Sequence, residues 1–322
     1  MNANKIISKV IKEKGRIRTV FFIGCGGSMI DLYPANYMLN AEASDISSYI
    51  YTSREFVLSL PKRLGNDSLV IVCSHSGNTP ESVEAAHAAK EAGAYVITIT
   101  HNKDSKCTAP EFVSWVYPWG DDVKTEYVPV GISLLLAAEL IEAQEGFAKH
   151  EALIKAIDQI DGVIGKARLK VNEELSNVFA NSCKENPFFY VLGSGSAFSQ
   201  TYGFVICSMM EMQWQNCCHI HSGEYFHGPF EVTENGLLYV IQMSSGKTRE
   251  MDERALAFLR GHTDRLIVID ALEYGMDSID SSVREYLDSS LFYAINCELR
   301  AARGKLFNHP VETRRYMDIE KY

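Results

Sequence analysis

SLVIVCSHSGNTPESVEAAHAAKEAGAYVITIT, residues 68–100, decides the fold class. The run SLVIVCS (68–74) is apolar and β-branched, with the length of a buried strand rather than of a helix. A short polar loop follows. TPESVEAAHAAKEAG (79–93) then carries the marks of a capped helix. Thr79 stands at the N-cap, Pro80 at the first helical position and Gly93 at the stop, while Glu81 and Glu84 lie where the helix dipole favours negative charge. AYVITIT (94–100) closes the unit as a second strand. Short apolar strands alternating with helices predict a parallel α/β sheet.

The alternation extends outward from this unit. VFFIG (20–24) reads as a strand, MIDLYPANYMLNAE as a helix and VGISLLLAAELIEAQEG as a long helix. The pattern then begins again. FFYVLGSGSAF (188–198) echoes VFFIGCGGSM (20–29), GLLYVIQMSSG (236–246) echoes SLVIVCSHSG (68–77), and RLIVID (265–270) echoes AYVITIT. A helical connection falls near residues 145–185. The expectation is two similar α/β domains, 1–150 and 151–322, each with a Gly/Ser-rich loop after its first strand.

Hydrophobic residues make up 46% of the chain and charged residues 22%, the balance of a packed globular protein. The longest apolar run, around VGISLLLAAELIEA, is interrupted by polar groups and falls short of the ~18–20 residues a spanning helix needs. The N-terminal MNANKIISKVIKEKGRIRTV lacks an apolar signal core and reads as a first helix. A formal net charge of −10 disfavours nucleic acid and anionic membranes as partners. An anionic ligand must then be held locally, by N–H groups and hydroxyls. The eight cysteines lack C-x-x-C spacing, which predicts reduced thiols of a cytoplasmic protein and no structural zinc. Cys25, Cys73 and Cys207 are expected to behave as small buried hydrophobes.

A strand that ends in Gly and Ser and turns into a helix presents N–H donors and the positive end of the helix dipole. GCGGS (24–28) and SHSGNT (74–79) both do so, and Ser28, Ser74, Ser76 and Thr79 add hydroxyl donors. Such an array suits a phosphate dianion without a lysine. Met29 and Phe198 stand where a dinucleotide fingerprint needs its third glycine, and no G-x-x-x-x-G-K-[ST] occurs. Nicotinamide and nucleoside triphosphate roles are therefore unsupported.

HIHSGEYFHGPFE (219–231) is the other chemically dense stretch. His219, His221 and Glu224 fall one residue short of the H-x-H…E spacing of cupin metal sites, which belong to β-barrels. No metal is predicted, and His219 and His221 are expected to support the structure. Glu211 in the preceding MEMQW is flanked by Met209, Met210, Met212 and Trp214, neighbours that desolvate a carboxylate and suit it to proton transfer.

Together these motifs carry a resemblance. SHSGNTPE after an apolar strand resembles the S-x-S-G-x-T phosphate loop of sugar isomerase (SIS) domains, and the two-fold repeat resembles the paired SIS domains in the isomerase half of glucosamine-6-phosphate synthase. EMQWQNCCHIHSGEYFHGPFE (211–231) and HPVETRRYM (309–317) are similar to the fructosamine-6-phosphate deglycases, which cleave 6-phosphorylated Amadori compounds. The resemblance implies two doubly wound, flavodoxin-like parallel sheets. It implies a phosphate held by Ser28, Ser74, Ser76 and Thr79, with help from Thr125 in the loop before the long helix. It implies acid–base work shared by Glu211 and, sixteen residues on, His227, which reaches the site across a subunit interface of a homodimer. Glu224 would orient His227 or contact the sugar. The C-terminal tail would cover the site, with Arg314 or Arg315 near the substrate.

The implied reaction needs no cofactor. A base takes a C1 proton from a 6-phosphofructosyl amino acid, the proton returns at C2, and water splits the resulting C1 imine into glucose 6-phosphate and the amino acid. The same two groups would serve a ketose–aldose phosphosugar isomerase. Glutamine-driven amination is disfavoured, because Asn2 stands where a glutaminase nucleophile would and no glutaminase domain precedes the first strand. A sugar-phosphate sensor is the third reading. It is disfavoured because about twenty residues before the first strand are too few for a helix-turn-helix.

Overall fold

The computed structural model describes residues 2–120, 122–317 and 319–321. The chain divides into two compact units, residues 1–158 and 159–322. In the first, α1 (Ala3–Lys14), β1 (Thr19–Gly24), α2 (Gly27–Glu42), β2 (Ser47–Thr52), α3 (Ser53–Leu58), β3 (Ser68–Cys73), α4 (Pro80–Glu91), β4 (Tyr95–Thr100), β5 (Val113–Val116) and α5 (Pro129–Glu145) follow one another. The strands form one parallel sheet in the order β2-β1-β3-β4-β5. This is the flavodoxin-like doubly wound order, in which ligands bind outside the carboxyl ends of the strands. All six residues of β1, β3 and β4 are buried, as their unbroken apolar runs require of central parallel strands. Ala85, Ala86 and Ala89 of α4 are fully buried against Val70 and Val72 of β3 and Phe21 of β1.

Helix α6 (His150–Glu174) carries the chain from one unit to the next. The second unit contains α7 (Ser176–Glu185), β6 (Phe188–Gly193), α8 (Phe198–Gly203), β7 (Asn216–His221), β8 (Leu238–Met243), α9 (Arg249–His262), β9 (Leu266–Asp270) and α10 (Asp288–Leu306). Its sheet is again parallel, in the order β7-β6-β8-β9. Strands β6, β8 and β9 thus occupy the places of β1, β3 and β4, as the internal repeat predicts. Three strands are new relative to the sequence reading: β2, β5 and β7. All three are edges, only partly buried, so their sequences (SSYIYT, VSWV, NCCHIH) never form the long apolar runs that betray a central strand. Among the described residues no helix is long and apolar enough to cross a membrane.

The eight cysteines are unbridged; Cys73 is buried, but Cys25 is exposed and Cys207 only half-buried, contrary to expectation. Cys25 lies in the loop that leaves β1, where the chain faces solvent.

The 3-10 turn Thr125–Tyr127 is seated on α5 by a close approach: a Cβ on Gly131 would come within 2.0 Å of the Thr125 carbonyl oxygen. In an open helix Gly→Ala gains up to about 1 kcal/mol. Overpacking against backbone costs about 1–3 kcal/mol or more, so the loss wins. Gly131→Ala is expected to lower stability by roughly 1–2 kcal/mol, read as an earlier midpoint in urea denaturation; an unchanged or later midpoint would show that the turn yields freely.

Candidate active site

The loop leaving β3 gathers three of the predicted phosphate ligands. The Ser74 and Thr79 hydroxyls share a 3.0 Å hydrogen bond, and the Gly77 N–H donates to the Ser74 carbonyl at 3.0 Å and to its hydroxyl at 3.2 Å. Ser76 Oγ accepts from the Asn78 N–H at 3.2 Å. Thr79 occupies the N-cap position, yet its hydroxyl makes no cap bond; it turns into the loop toward Ser74 instead. Gly77 is required here. Its φ is +65°, and a Cβ would come within 2.1 Å of Ser105 Oγ. No carboxylate accepts from Ser74, Ser76 or Thr79 among the described residues. The loop is an array of donors facing the N-terminus of α4, the arrangement that favours an anion.

Ser28 lies in the first turn of α2, and its hydroxyl is near enough to the Cys73 sulfur to favour the thiolate, which places it beside the loop. One turn on, Asp31 also acts on Cys73; burial and that negative neighbour push the thiol up. Asp31 keeps some exposed surface but is densely surrounded by protein, and this burial pushes its carboxyl up to about 7. Thr125 is buried on its turn before α5, whose Ser133 hydroxyl donates to the Asp31 carbonyl at 3.2 Å. The structure therefore unites Ser74, Ser76 and Thr79 on one loop, with Ser28 against it. Thr125 stands on the α5 side of α2.

Within this loop His75 forms an aromatic group that the sequence did not reveal. Its ring stacks on His101 at 5.2 Å, meets Trp119 edge-on at 4.7 Å, and shares a 2.7 Å hydrogen bond from Nδ1 to the Tyr117 hydroxyl. Burial and the neighbouring His101 lower its pKa.

The corresponding loop of the second unit, after β8, is closed. The Asp288 carboxylate accepts from the Ser244 hydroxyl at 2.9 Å, the Ser245 N–H at 2.8 Å and the Ser245 hydroxyl at 2.5 Å. Asp252 accepts from the Ser194 hydroxyl and the Ser244 N–H, both at 2.9 Å. Glu285 takes the Lys247 N–H at 3.3 Å. Both aspartates are buried, and desolvation pushes their carboxyls up to about 7 for Asp288 and about 6 for Asp252 against the hydrogen bonds that favour charge. The chain's own carboxylates fill the place that an anion would take.

Glu211 ends a π-helical turn, Phe204–Glu211, that continues α8; the wide turn shows in the hydrogen bond from the Met212 N–H to the Cys207 carbonyl. Such turns are rare and concentrate at functional sites. The segment beyond is held in a strained form. Trp214 has φ +50°, unusual for a residue with a side chain. The buried Arg303 guanidinium fixes both flanks, through Nη1 to the Gln213 carbonyl (3.1 Å) and side chain (3.0 Å) and through Nη2 to the Gln215 side chain (2.8 Å). His309 meets the Trp214 ring edge-on at 4.7 Å, and Arg315 lies over it at 3.9 Å.

The tail then turns back on the candidate base. Arg314 Nη2 pairs with Glu211 Oε1 at 2.9 Å, while its Nη1 donates to the carbonyls of Val311 at 2.7 Å and Thr313 at 3.1 Å. Arg314 is thus paired with Glu211, and Arg315 is stacked on Trp214. Of the residues expected to desolvate Glu211, Met209 is buried, but Met210 and Trp214 are exposed. Residues 318 and 322 of the tail lie outside the described residues.

His227 is exposed on the 3-10 turn Tyr225–His227, and neither a hydrogen bond nor an ion pair joins it to Glu211 among the described residues. Glu224 is exposed as well. Its carbonyl accepts from the His227 N–H at 2.9 Å, but its charge acts on His221. His219 and His221 stand on edge strand β7, packed against Phe198 and held below their usual pKa by burial. The Gly223 N–H donates to His221 Nδ1 at 3.1 Å. Among the described residues no three His, Cys, Asp or Glu side chains gather as a metal site.

Comparison with known proteins fits this architecture. Residues 16–109 match the SIS domain model. The chain is 37% identical to the fructosamine deglycase of Bacillus subtilis (strain 168) over 308 residues, 94% of this chain and 93% of that one. The chain belongs to the fructosamine deglycase family of SIS-domain proteins. It is also 26% identical to the fructoselysine 6-phosphate deglycase of Escherichia coli (strain K12), over 83% of this chain and 77% of that one. A crystal structure from Salmonella typhimurium LT2, assigned to the phosphosugar isomerases, superposes with a TM-score of 0.96 at 37% identity, over 100% of this chain and 96% of that one. The protein is accordingly an enzyme of the deglycase type, and its α/β fold is that of the SIS phosphosugar isomerases.

Besides the His75 group, three further features of this enzyme escaped the sequence reading. Asp31 carried one signal, its position one turn after Ser28 on the same helical face. Arg303 and the closing carboxylates Glu285 and Asp288 carried none, since they lie far from their partners in sequence, and Asp252 joins Ser194 from 58 residues away. The closed loop gives a direct test. Asp288→Ala would leave the Ser244 and Ser245 donors buried and unmatched, a loss on the order of 3–5 kcal/mol. Equilibrium denaturation should show that loss; a change near zero would mean that water or another group replaces the carboxylate at no cost.

Proposed function

We propose that the enzyme cleaves 6-phosphofructosyl amino acids to glucose 6-phosphate and the free amino acid. The observation that carries this reading is the likeness, over almost the whole chain, to an enzyme named for fructosamine removal, in a chain that holds both Glu211 and His227. In this reading Ser28, Ser74, Ser76 and Thr79 hold the 6-phosphate, with Thr125 in support. Glu211 removes the C1 proton of the open-chain ketose and returns it at C2, a role suited to a positioned carboxylate. His227 serves ring opening and proton movement at oxygen. Water then adds to the C1 imine and the amine leaves, so one water is consumed for each sugar and amino acid released. Glu224 contacts the sugar or orients His227. No cofactor takes part.

His227 stands exposed and, among the described residues, unjoined to Glu211, which supports its delivery by a second copy in a homodimer with shared sites. The domains proposed are 1–150 and 151–322, and the compartment proposed is the cytoplasm, where eight unbridged thiols stay reduced. A ketose–aldose phosphosugar isomerase is the second reading, favoured by the isomerase assignment of the Salmonella relative.

Glucose 6-phosphate release is to be followed from a panel of 6-phosphofructosyl amino acids, with fructose 6-phosphate alongside. The reading predicts release from at least one adduct, reduced at least about 100-fold in both Glu211→Ala and His227→Ala with the fold intact. Conversion of fructose 6-phosphate without release from any adduct would replace it with the isomerase reading.

A further inference from the structure

The Arg314–Glu211 pair is awkward for a resting catalytic base, because an oxygen held by a guanidinium is not open to a C1 proton. Both partners keep about a quarter of their side-chain surface exposed, 24% for Arg314 and 23% for Glu211. Each group therefore still reaches solvent, and an anion arriving from outside can compete for the guanidinium. Arg314 is nevertheless firmly aimed. Its Nη1 is tied to two carbonyls of its own tail segment, so the guanidinium stays near Glu211 even when the carboxylate lets go. Arg315 sits beside it on Trp214, adding a second cation to a chain whose net charge is −10. The Arg314 guanidinium at the candidate base, with Arg315 over nearby Trp214, makes a local site for an anion. The 6-phosphate already has its own donors on the loop after β3, so a different anion is called for. An amino-acid adduct carries one: the free carboxylate close to the nitrogen on C1, which a planar guanidinium matches.

We propose that Arg314 is a specificity-determining residue, resting on Glu211 in the free enzyme and moving onto the carboxylate of the amino-acid portion of the substrate, which frees Glu211 for the proton transfer. This rests on the deglycase reading above and narrows its substrate class. Adducts of amino acids that keep a carboxylate near the glycated nitrogen are favoured over adducts of amines or amides. No bond is made or broken at Arg314; one ion pair replaces another.

The test compares 6-phosphofructosyl glycine with its glycinamide counterpart, which differs only in lacking the carboxylate charge. Wild type should favour the glycine adduct in kcat/KM by about tenfold or more, the worth of a charged hydrogen bond. In Arg314→Ala that preference should fall to within about twofold, while Arg314→Lys keeps part of it. Melting temperatures check that both variants fold. If Arg314→Ala turns over neither adduct measurably, the same ratio is read from the Kd of each by calorimetry. A wild-type preference that survives in Arg314→Ala would overturn the proposal, as would an equal loss on both adducts. If wild type releases glucose 6-phosphate from neither adduct nor from any other amino-acid adduct, the deglycase reading itself fails and this proposal with it.

Discussion

A parallel sheet whose strands turn into helices leaves N–H and hydroxyl donors at the carboxyl ends of its strands, and buried donors must be matched. The two halves of this chain answer that constraint differently. After β8, Asp288, Asp252 and Glu285 take the donors of Ser244, Ser245 and Lys247, and the loop becomes part of the core. After β3 no such carboxylate intervenes among the described residues, and there the hydroxyls of Ser74, Ser76 and Thr79 are bonded only within the loop. One repeat has become internally satisfied structure. The other stays open to an anion from outside, and the proposed chemistry depends on that asymmetry.

The second unit holds a positioned carboxylate of its own. Glu211 lies where a helix has been widened into a π turn, and the chain leaves it through a residue at positive φ. Sparsely populated backbone of this kind costs about 1–3 kcal/mol and persists only where its surroundings over-determine it. Arg303 does this from α10. A buried cation with no carboxylate partner would be costly, and its two η nitrogens are taken up by the flanking glutamines. The C-terminal helix and tail thus act on the candidate base twice, through Arg303 on the backbone around Trp214 and through Arg314 on the carboxylate itself.

Much of this was legible in the sequence for physical reasons. Central parallel strands are buried on both faces, so VFFIG, SLVIVC and LYVIQM stand out as apolar runs, and Pro80 marks the start of α4 by a local rule. Edge strands are half-wet, so NCCHIH lacks the long apolar run that would have marked it as β7. The hydroxyls of SHSGNT announced an anion loop, but nothing in SSGKT announced that Asp288, more than forty residues on, would fill its counterpart. Arg314 was expected near substrate. Its pairing with Glu211 is a long-range contact between a tail and a helix end, which no local pattern encodes.

Calorimetric titration of the wild-type enzyme with glucose 6-phosphate tests the asymmetry of the two loops most directly, with Ser74→Ala and Asp288→Asn titrated in parallel. The account predicts one sugar phosphate bound per chain, with affinity lost or sharply weakened in Ser74→Ala and kept in Asp288→Asn. Two molecules bound per chain, or binding indifferent to Ser74→Ala, would contradict it.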